Sequence, residues 1–248
     1  TETHVSVFDI TDRAAPSLLR EVTLSGSLLA ARKVGHAIHT VVTKDAGRTF
    51  RYETVPQDFP LSSCTRLDES QIARGRKIIA QLREHNAARI DAYDFAANLP
   101  KIVDTGADAP PKCADYYRTP ISGGASITSV VSFDADGNEP VVAKTVATNT
   151  GQVYASAAGI YVTGFHAQTS DASFASTAGL SEATSIHKFA IGEKATNTQY
   201  RASGVVKGHV ISQFSLDEFE GSLRVATTTG YASDSQTHST VSILSQDG

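Results

Sequence analysis

The densest grouping of possible metal ligands is Asp134-Ala135-Asp136-Gly137-Asn138-Glu139, with side-chain oxygens at positions one, three and five. Calcium loops use oxygens at that spacing, so Asp134, Asp136 and Asn138 are candidate calcium ligands. The rest of the loop pattern fails. Glu139 stands at six, where the sharp turn needs Gly, and Thr145 at twelve, where a bidentate Glu is needed. A polar hairpin turn with Asp136-Gly137 at its tip accounts for the same residues. Zinc has less support, because Cys64 and Cys113 are the only cysteines, His36 and His39 the only close histidine pair, and no HExxH spacing occurs. Serine is abundant, yet no Gly-x-Ser-x-Gly elbow presents one to a base. No glycine-rich loop precedes a helix to cradle phosphate. The acidic pair Asp217-Glu218 is expected in a turn between strands, with no second acidic cluster to work against. His166, His187 and His209 fall on or beside expected strands and read as half-buried or surface residues. No catalytic or cofactor-binding residue is assigned, and calcium is the one cofactor with any motif behind it.

The elements that would position these residues repeat. His4-Val5-Ser6-Val7-Phe8-Asp9, Ser129-Val130-Val131-Ser132-Phe133-Asp134, Ser185-Ile186-His187-Lys188-Phe189-Ala190 and Thr240-Val241-Ser242-Ile243-Leu244-Ser245 share one alternating pattern. Their markers Phe8, Phe133, Phe189 and Leu244 lie 125, 56 and 55 residues apart, so the first unit carries a surplus of 69. After the markers come a polar turn and strands at Leu18–Leu24, Val141–Ala147 and Gln199–Val206. Further strands are expected at Leu28–Val34, Gln152–Ser156 and His209–Phe214, and closing ones at Ile38–Thr43, Ile160–Gly164 and Leu223–Thr228. Four antiparallel strands per repeat of roughly fifty residues is the arithmetic of a β-propeller blade. A β-sandwich with meander connections is the alternative, and the regular spacing favours the propeller. On this phase the chain opens inside one blade, crosses two, and stops inside a fourth, making about three blades of sheet. Closed propellers need about four to eight, so further blades or a homo-oligomer would complete a ring.

The surplus lies in an insertion at about 45–120, within a single propeller segment spanning 1–248. Asp68, Glu69 and Gln71 supply capping chemistry, and Ile72, Ile79, Leu82 and Ile90 recur at helical spacing, predicting one long amphipathic helix or two shorter ones near 69–97, ending before Pro100. Cys64 and Cys113 flank that helix. A disulfide between them would close a 49-residue loop and constrain the unfolded chain by roughly 4 kcal/mol. It would also imply an oxidising compartment; two buried thiols are the other reading.

The run Ser185-Ile186-His187-Lys188-Phe189, with Tyr200-Arg201-Ala202-Ser203-Gly204, Gln213-Phe214-Ser215-Leu216-Asp217-Glu218 and Leu223-Arg224-Val225-Ala226-Thr227-Thr228, resembles the bacterial and archaeal secreted β-propeller family, which is distantly WD40-like. Val7-Phe8-Asp9-Ile10-Thr11-Asp12 with Pro16, and Gly26 to Arg32, look like an earlier blade of that family. Leu99-Pro100 and Cys113-Ala114-Asp115-Tyr116-Tyr117 look like the end of its helical insertion. The resemblance spans nearly the whole chain and implies a secreted or cell-surface protein with further blades. It brings no catalytic residues.

Composition sets the outer bounds. With 22 Lys+Arg against 26 Asp+Glu the net charge is −4 and dispersed, which removes the electrostatic case for nucleic acid. A hydrophobic share of 40% is enough to build a folded core, and no apolar run approaches the ~18 residues of a membrane span. Met is absent, initiator included, so Thr1 is expected to be a processed end and the chain a segment of something longer. The function expected is a non-catalytic scaffold or binding module for protein or glycan partners. The loops 168–183 and 231–239 and the insertion are its candidate contact surfaces. The alternative is an extracellular hydrolase or other enzyme with a site in the central channel.

Overall fold

The computed structural model describes residues 1–45, 53–54, 67–105, 112–119, 124–137, 139–166, 183–230 and 237–246. The chain forms two units, Thr1–Ala46 with Pro100–Gly248, and Gly47–Leu99.

Among its described residues the first unit is all β apart from three short 3₁₀ turns. In chain order its strands are β1 (Glu2–Asp9), β2 (Ser17–Ser25), β3 (Ser27–Val34), β4 (Ala37–Asp45), β5 (Ile102–Asp104), β6 (Tyr116–Tyr117) and β7 (Ser126–Asp134). There follow β8 (Val142–Ala147), β9 (Thr150–Ala155), β10 (Gly159–Phe165), β11 (Ala183–Ala190), β12 (Gln199–Lys207), β13 (Leu216–Phe219), β14 (Ser222–Thr229) and β15 (His238–Leu244). They build four sheets: sheet I ordered β1-β2-β5, sheet II β3-β4-β7-β8-β6, sheet III β9-β10-β11-β12 and sheet IV β13-β14-β15. Every pairing between these strands is antiparallel except that of β6 with β8. The four repeat markers sit on β1, β7, β11 and β15, and where a strand precedes them the register is the same: Ile38 opposite Phe133, Ile160 opposite Phe189, Leu223 opposite Leu244.

That register makes each sheet two-faced, because successive side chains on a strand point to opposite sides. Three cores result. Val22, Leu24, Val42, Val131, Phe133 and Val141 fill the space between sheets I and II. Val41, Val130, Val146, Ile160, Val162 and Phe189 fill that between II and III, and Tyr161, Ile186, Val206, Leu216, Leu223 and Val225 that between III and IV.

Two of the expected elements differ. The segment His209–Phe214 is not a strand: His209 makes one isolated bridge to Thr228, and Gln213–Ser215 is a 3₁₀ turn. Its β-branched and aromatic residues Val210, Ile211 and Phe214 suggested a strand, but Phe214 is 89% exposed and has no sheet face to join. The inner strand of sheet IV is β13, so Asp217 and Glu218 lie on a strand rather than in a turn. The chain also rejoins the sheets well before residue 120, through β5 against β2 and β6 against β8.

The second unit holds α1 (Glu69–Asp91) and α2 (Phe95–Asn98). Asp68 caps α1 by accepting from the Gln71 backbone N–H, while the Gln71 side chain accepts from the Asp68 N–H, the reciprocal capping box read from sequence. Asp94 starts α2 in the same way through the Ala97 N–H, and the break between the helices falls at Ala92–Asp94.

The passage from one sheet to the next needs glycine at two equivalent places. Gly26 (φ +117°) and Gly208 (φ +83°) would each put a Cβ against a carbonyl oxygen near the end of the strand paired there, 2.5 Å from Thr43 O and 2.7 Å from Thr228 O. L-residues seldom adopt these dihedrals, and neither carbonyl belongs to a flexible side chain that could yield. Gly208→Ala should therefore destabilise the protein by about 2 kcal/mol, measured as a lower midpoint in urea with an unchanged slope.

Candidate functional site

Polar and charged side chains converge where sheets meet. On β4 and β10 the residue after the repeated apolar position faces the next sheet, His39 and Tyr161, directly opposite Ser132 and Lys188; the equivalent residue on β14, Arg224 opposite Ile243, lies on the exposed outer face of sheet IV. His39 is fully buried. Its Nδ1 lies 2.7 Å from Ser132 Oγ and its Nε2 2.9 Å from Gly192 O. A carbonyl only accepts, so Nε2 carries the proton and Nδ1 accepts from Ser132, whose oxygen in turn accepts from the Thr198 hydroxyl at 2.7 Å. Gly192 and Thr198 come from the β11–β12 connection of sheet III, so this chain of bonds ties II to III. Burial holds His39 below its ordinary pKa, against the pull of the Gly192 carbonyl and Asp134.

Between sheets III and IV the same address carries a charged latch. Glu218 on β13 accepts from Tyr161 OH at 2.7 Å, from Lys188 Nζ at 3.3 Å and from Ser156 Oγ. Its backbone N–H donates to Tyr154 OH at 3.1 Å, and the Lys188 ammonium lies 5.4 Å from the Tyr161 ring centroid. Burial works against an ionised Glu218, but the Ser156 and Tyr161 hydroxyls and the Lys188 charge outweigh it and hold its pKa low. Burial and the adjacent Glu218 push the Tyr161 hydroxyl strongly up. The pair is thus fixed as carboxylate and neutral phenol, beside a small pocket of about 110 Å³ lined by Ile186, Gly204, Leu223 and Leu244.

Arg20 does comparable work between sheets I and II. It is buried, pairs bidentately with Asp104 at 3.1 and 2.6 Å, and donates to the carbonyls of Asp134, Gly137 and Glu139 at 2.8–2.9 Å. These carbonyls belong to the turn read as a candidate calcium loop. A guanidinium therefore organises that turn, and its acidic side chains go elsewhere: Asp134 Oδ1 accepts from the Ala195 N–H at 2.9 Å, and Asp136 meets His36 at 2.8 Å. Asn138 lies outside the described residues. Among the described residues no three His, Cys, Asp or Glu side chains are grouped to hold a metal.

Beside this knot, a cleft of about 390 Å³ opens between β2/β5 and β7/β8, with Val131, Val141, Ala143 and Ile102 on its walls and Lys101, Lys112, Lys144, Asp115 and Tyr116 around them. Burial, then the neighbouring Asp115 and Cys113, raise the Tyr116 pKa. Lys144 is bonded to Asp115, which anchors the short turn Cys113–Asp115 on sheet II. Cys113 itself is a free, exposed thiol in this structure, without the bond expected to Cys64; β6 and the Lys144–Asp115 pair already hold its segment to the sheet. Cys64 lies outside the described residues, as do 168–182 and 231–236 of the two loops expected to make contacts.

Four two-faced antiparallel sheets, stacked through three cores and repeating one strand register, are successive blades. A family model described as a beta propeller domain matches residues 1–248. The chain belongs to the beta propeller domain family. A search of curated proteins returns no match. No helix among the described residues is long and apolar enough to cross a membrane.

Within this propeller segment, sequence reasoning missed the partners of Glu218 and the burial of His187. Glu218 could be placed on a strand only by noticing that Leu216-Asp217-Glu218-Phe219 sits between apolar residues before a tight turn. His187 on β11 is buried, with Nδ1 3.0 Å from Tyr200 OH, and burial drops its pKa from 6.5 to about 4.

Two predictions follow from these clusters. Glu218→Gln removes the counter-charge of a half-buried lysine, and should cost roughly 2 kcal/mol; adding Lys188→Met should recover part of that loss in a double-mutant cycle read by urea unfolding. The His187 pKa is lower folded than unfolded, so between pH 6.5 and about 4 the unfolded chain binds the extra proton. Stability should fall as pH drops through that window by roughly 3 kcal/mol, with His39 adding in the same direction. His187→Gln should flatten the slope in urea midpoints measured across it.

Proposed function

We propose that this chain is a non-catalytic scaffold or binding module of a secreted or cell-surface protein, and that it engages protein partners through the outer faces of its first and last sheets. One comparison within the molecule carries the reading. Phe133 and Phe189 are 0% exposed, each covered by the sheet before it, whereas Phe8 at the same place on sheet I is 51% exposed. At the other end Val241 and Ile243 are 70% exposed, while Ile186, which matches Val241 on sheet III, is 3% exposed. Leu18, paired with Phe8, adds to the first face.

The surface that fits such a face is another sheet of the same build, and a second copy of this chain supplies one. The outer face of sheet IV in one copy would meet the outer face of sheet I in the other, a head-to-tail contact that closes if the rotation allows. Two copies of four sheets fall within the roughly four to eight blades of closed propellers. Each buried Phe8 would contribute about 2 kcal/mol. The secreted or cell-surface assignment draws on the resemblance of the blade around 185–228 to secreted propellers. A hydrolase would find its best-placed carboxylate in Glu218, but the commitment of that carboxylate to Ser156, Tyr161 and Lys188 favours a latch over a reacting group.

Sedimentation velocity over a wide concentration range tests the contact. The expected result is a mass rising toward two chains, with Phe8→Asp and Val241→Asp each returning the protein to monomer at unchanged circular dichroism. A wild-type chain that stays monomeric throughout, or association insensitive to both substitutions, would overturn it.

A further inference from the structure

The three sheet interfaces are not filled alike. Between II and III, Tyr117 stacks on Tyr200 at 4.2 Å between centroids, and Phe189 meets Tyr200 edge-on at 5.3 Å. Between III and IV, Tyr154 and Tyr161 lie 5.9 Å apart. Apart from Tyr116 at the cleft itself, the described core between I and II holds one ring, Phe133, and that ring is taken up beneath the Arg20 guanidinium, 5.3 Å from its centroid. The remaining side chains are Val, Leu, Ile and Ala. They are too small to fill what tyrosines fill elsewhere, and the cleft is the space left over.

Its chemistry is specific. In a chain of net charge −4, this cleft is lined by three lysines, Lys101, Lys112 and Lys144, against one carboxylate, Asp115. Asp115 is committed to Lys144, and among the described residues no other carboxylate lines the cleft to match Lys101 and Lys112. On the sheet II wall, Ser129 and Thr145 are both buried and face each other across the strand pair at 2.9 Å. Two hydroxyls sharing one hydrogen bond retain one O–H that is not spent on the other, and so a donor at the wall. Tyr116, kept protonated by its raised pKa, is a further hydroxyl in the lining. Apolar walls, a few convergent donors and a volume in the small-molecule range are the attributes of a ligand site.

We propose that the cleft between sheets I and II binds a small organic anion, a carboxylate carried on a compact apolar body. The apolar part lies against Ile102, Val141 and Ala143, and the carboxylate takes charge from Lys101 and Lys112. This deepens the binding-module reading, but it uses a different surface from the outer sheet faces, so loss of self-association would leave it standing.

The chain has no tryptophan, so Tyr116→Trp places a single reporter in the cleft. Octanoate is the probe, with octanol, octylamine and acetate as controls, and calorimetry on the wild-type chain checks that the reporter has not created the site. Octanoate should shift the emission saturably at sub-millimolar concentration, octanol more weakly, and octylamine and acetate not at all. Lys101→Gln with Lys112→Gln should weaken octanoate roughly tenfold, and Ala143→Phe, which supplies the missing ring, should abolish binding in a chain that still unfolds cooperatively. Equal responses to octanoate and octylamine, binding that survives Ala143→Phe, or no heat and no shift with octanoate would each overturn the proposal.

Discussion

A blade of this protein has no inside of its own. Each sheet carries side chains on both faces, and both must be covered by neighbours, so the unit of stability is the interface between two sheets rather than the sheet. The fixed register between the closing strand and the marker strand makes this possible. With Ile38, Ile160 and Leu223 always opposite Phe133, Phe189 and Leu244, a one-residue slip would turn every core residue to the wrong side. The glycines at the sheet junctions, the buried histidines and the Arg20 knot all serve that stacking.

The same constraint explains what could be read from the residues alone. The markers announce themselves because an aromatic or Leu must recur wherever a sheet presents its broad apolar face, and the 56- and 55-residue spacings follow from strands that must match in length to pair. The capping box at Asp68 and Gln71 is equally local, since both partners lie within one turn. The charged clusters were hidden for the opposite reason. Ser156, Tyr161, Lys188 and Glu218 come from four segments and meet only through two strand registers and one sheet contact. Asp104 and Arg20 are brought together by a strand, β5, that returns from beyond the insertion. The segment after Gly208 misled because Val210, Ile211 and Phe214 have the look of a strand. Strand-prone composition makes a strand only where a sheet edge is open, and here β13 had already taken the place.

Burial of polar groups at these interfaces has an energetic logic of its own. A neutral His39 held at both ring nitrogens, and a carboxylate surrounded by three donors, stabilise only when the neighbouring sheet is in place to complete them. Apolar contact would hold two such sheets together in several arrangements. A hydrogen-bonded cluster tolerates one.

That one address on the repeat carries different chemistry at each step: His39 with Ser132, Tyr161 with Lys188, Arg224 with Ile243. The first needs a carbonyl and a hydroxyl from the next sheet, and receives Gly192 and Thr198. The second needs a carboxylate, and receives Glu218. If the blades exchanged places, the half-buried Lys188 would face a carbonyl in place of its counter-charge and the half-buried Glu218 a neutral imidazole in place of an ammonium, each a poorer match than the one it has. The repeat thus supplies the common shape, and the polar pair fixes the order in which its copies stack. At the last sheet the Arg224 charge is met within its own sheet by Asp217 and the Phe219 ring, so the outer face asks nothing charged of what covers it. Val241 and Ile243 are the exposed apolar residues of that face, as Phe8 and Leu18 are of the outer face of the first sheet.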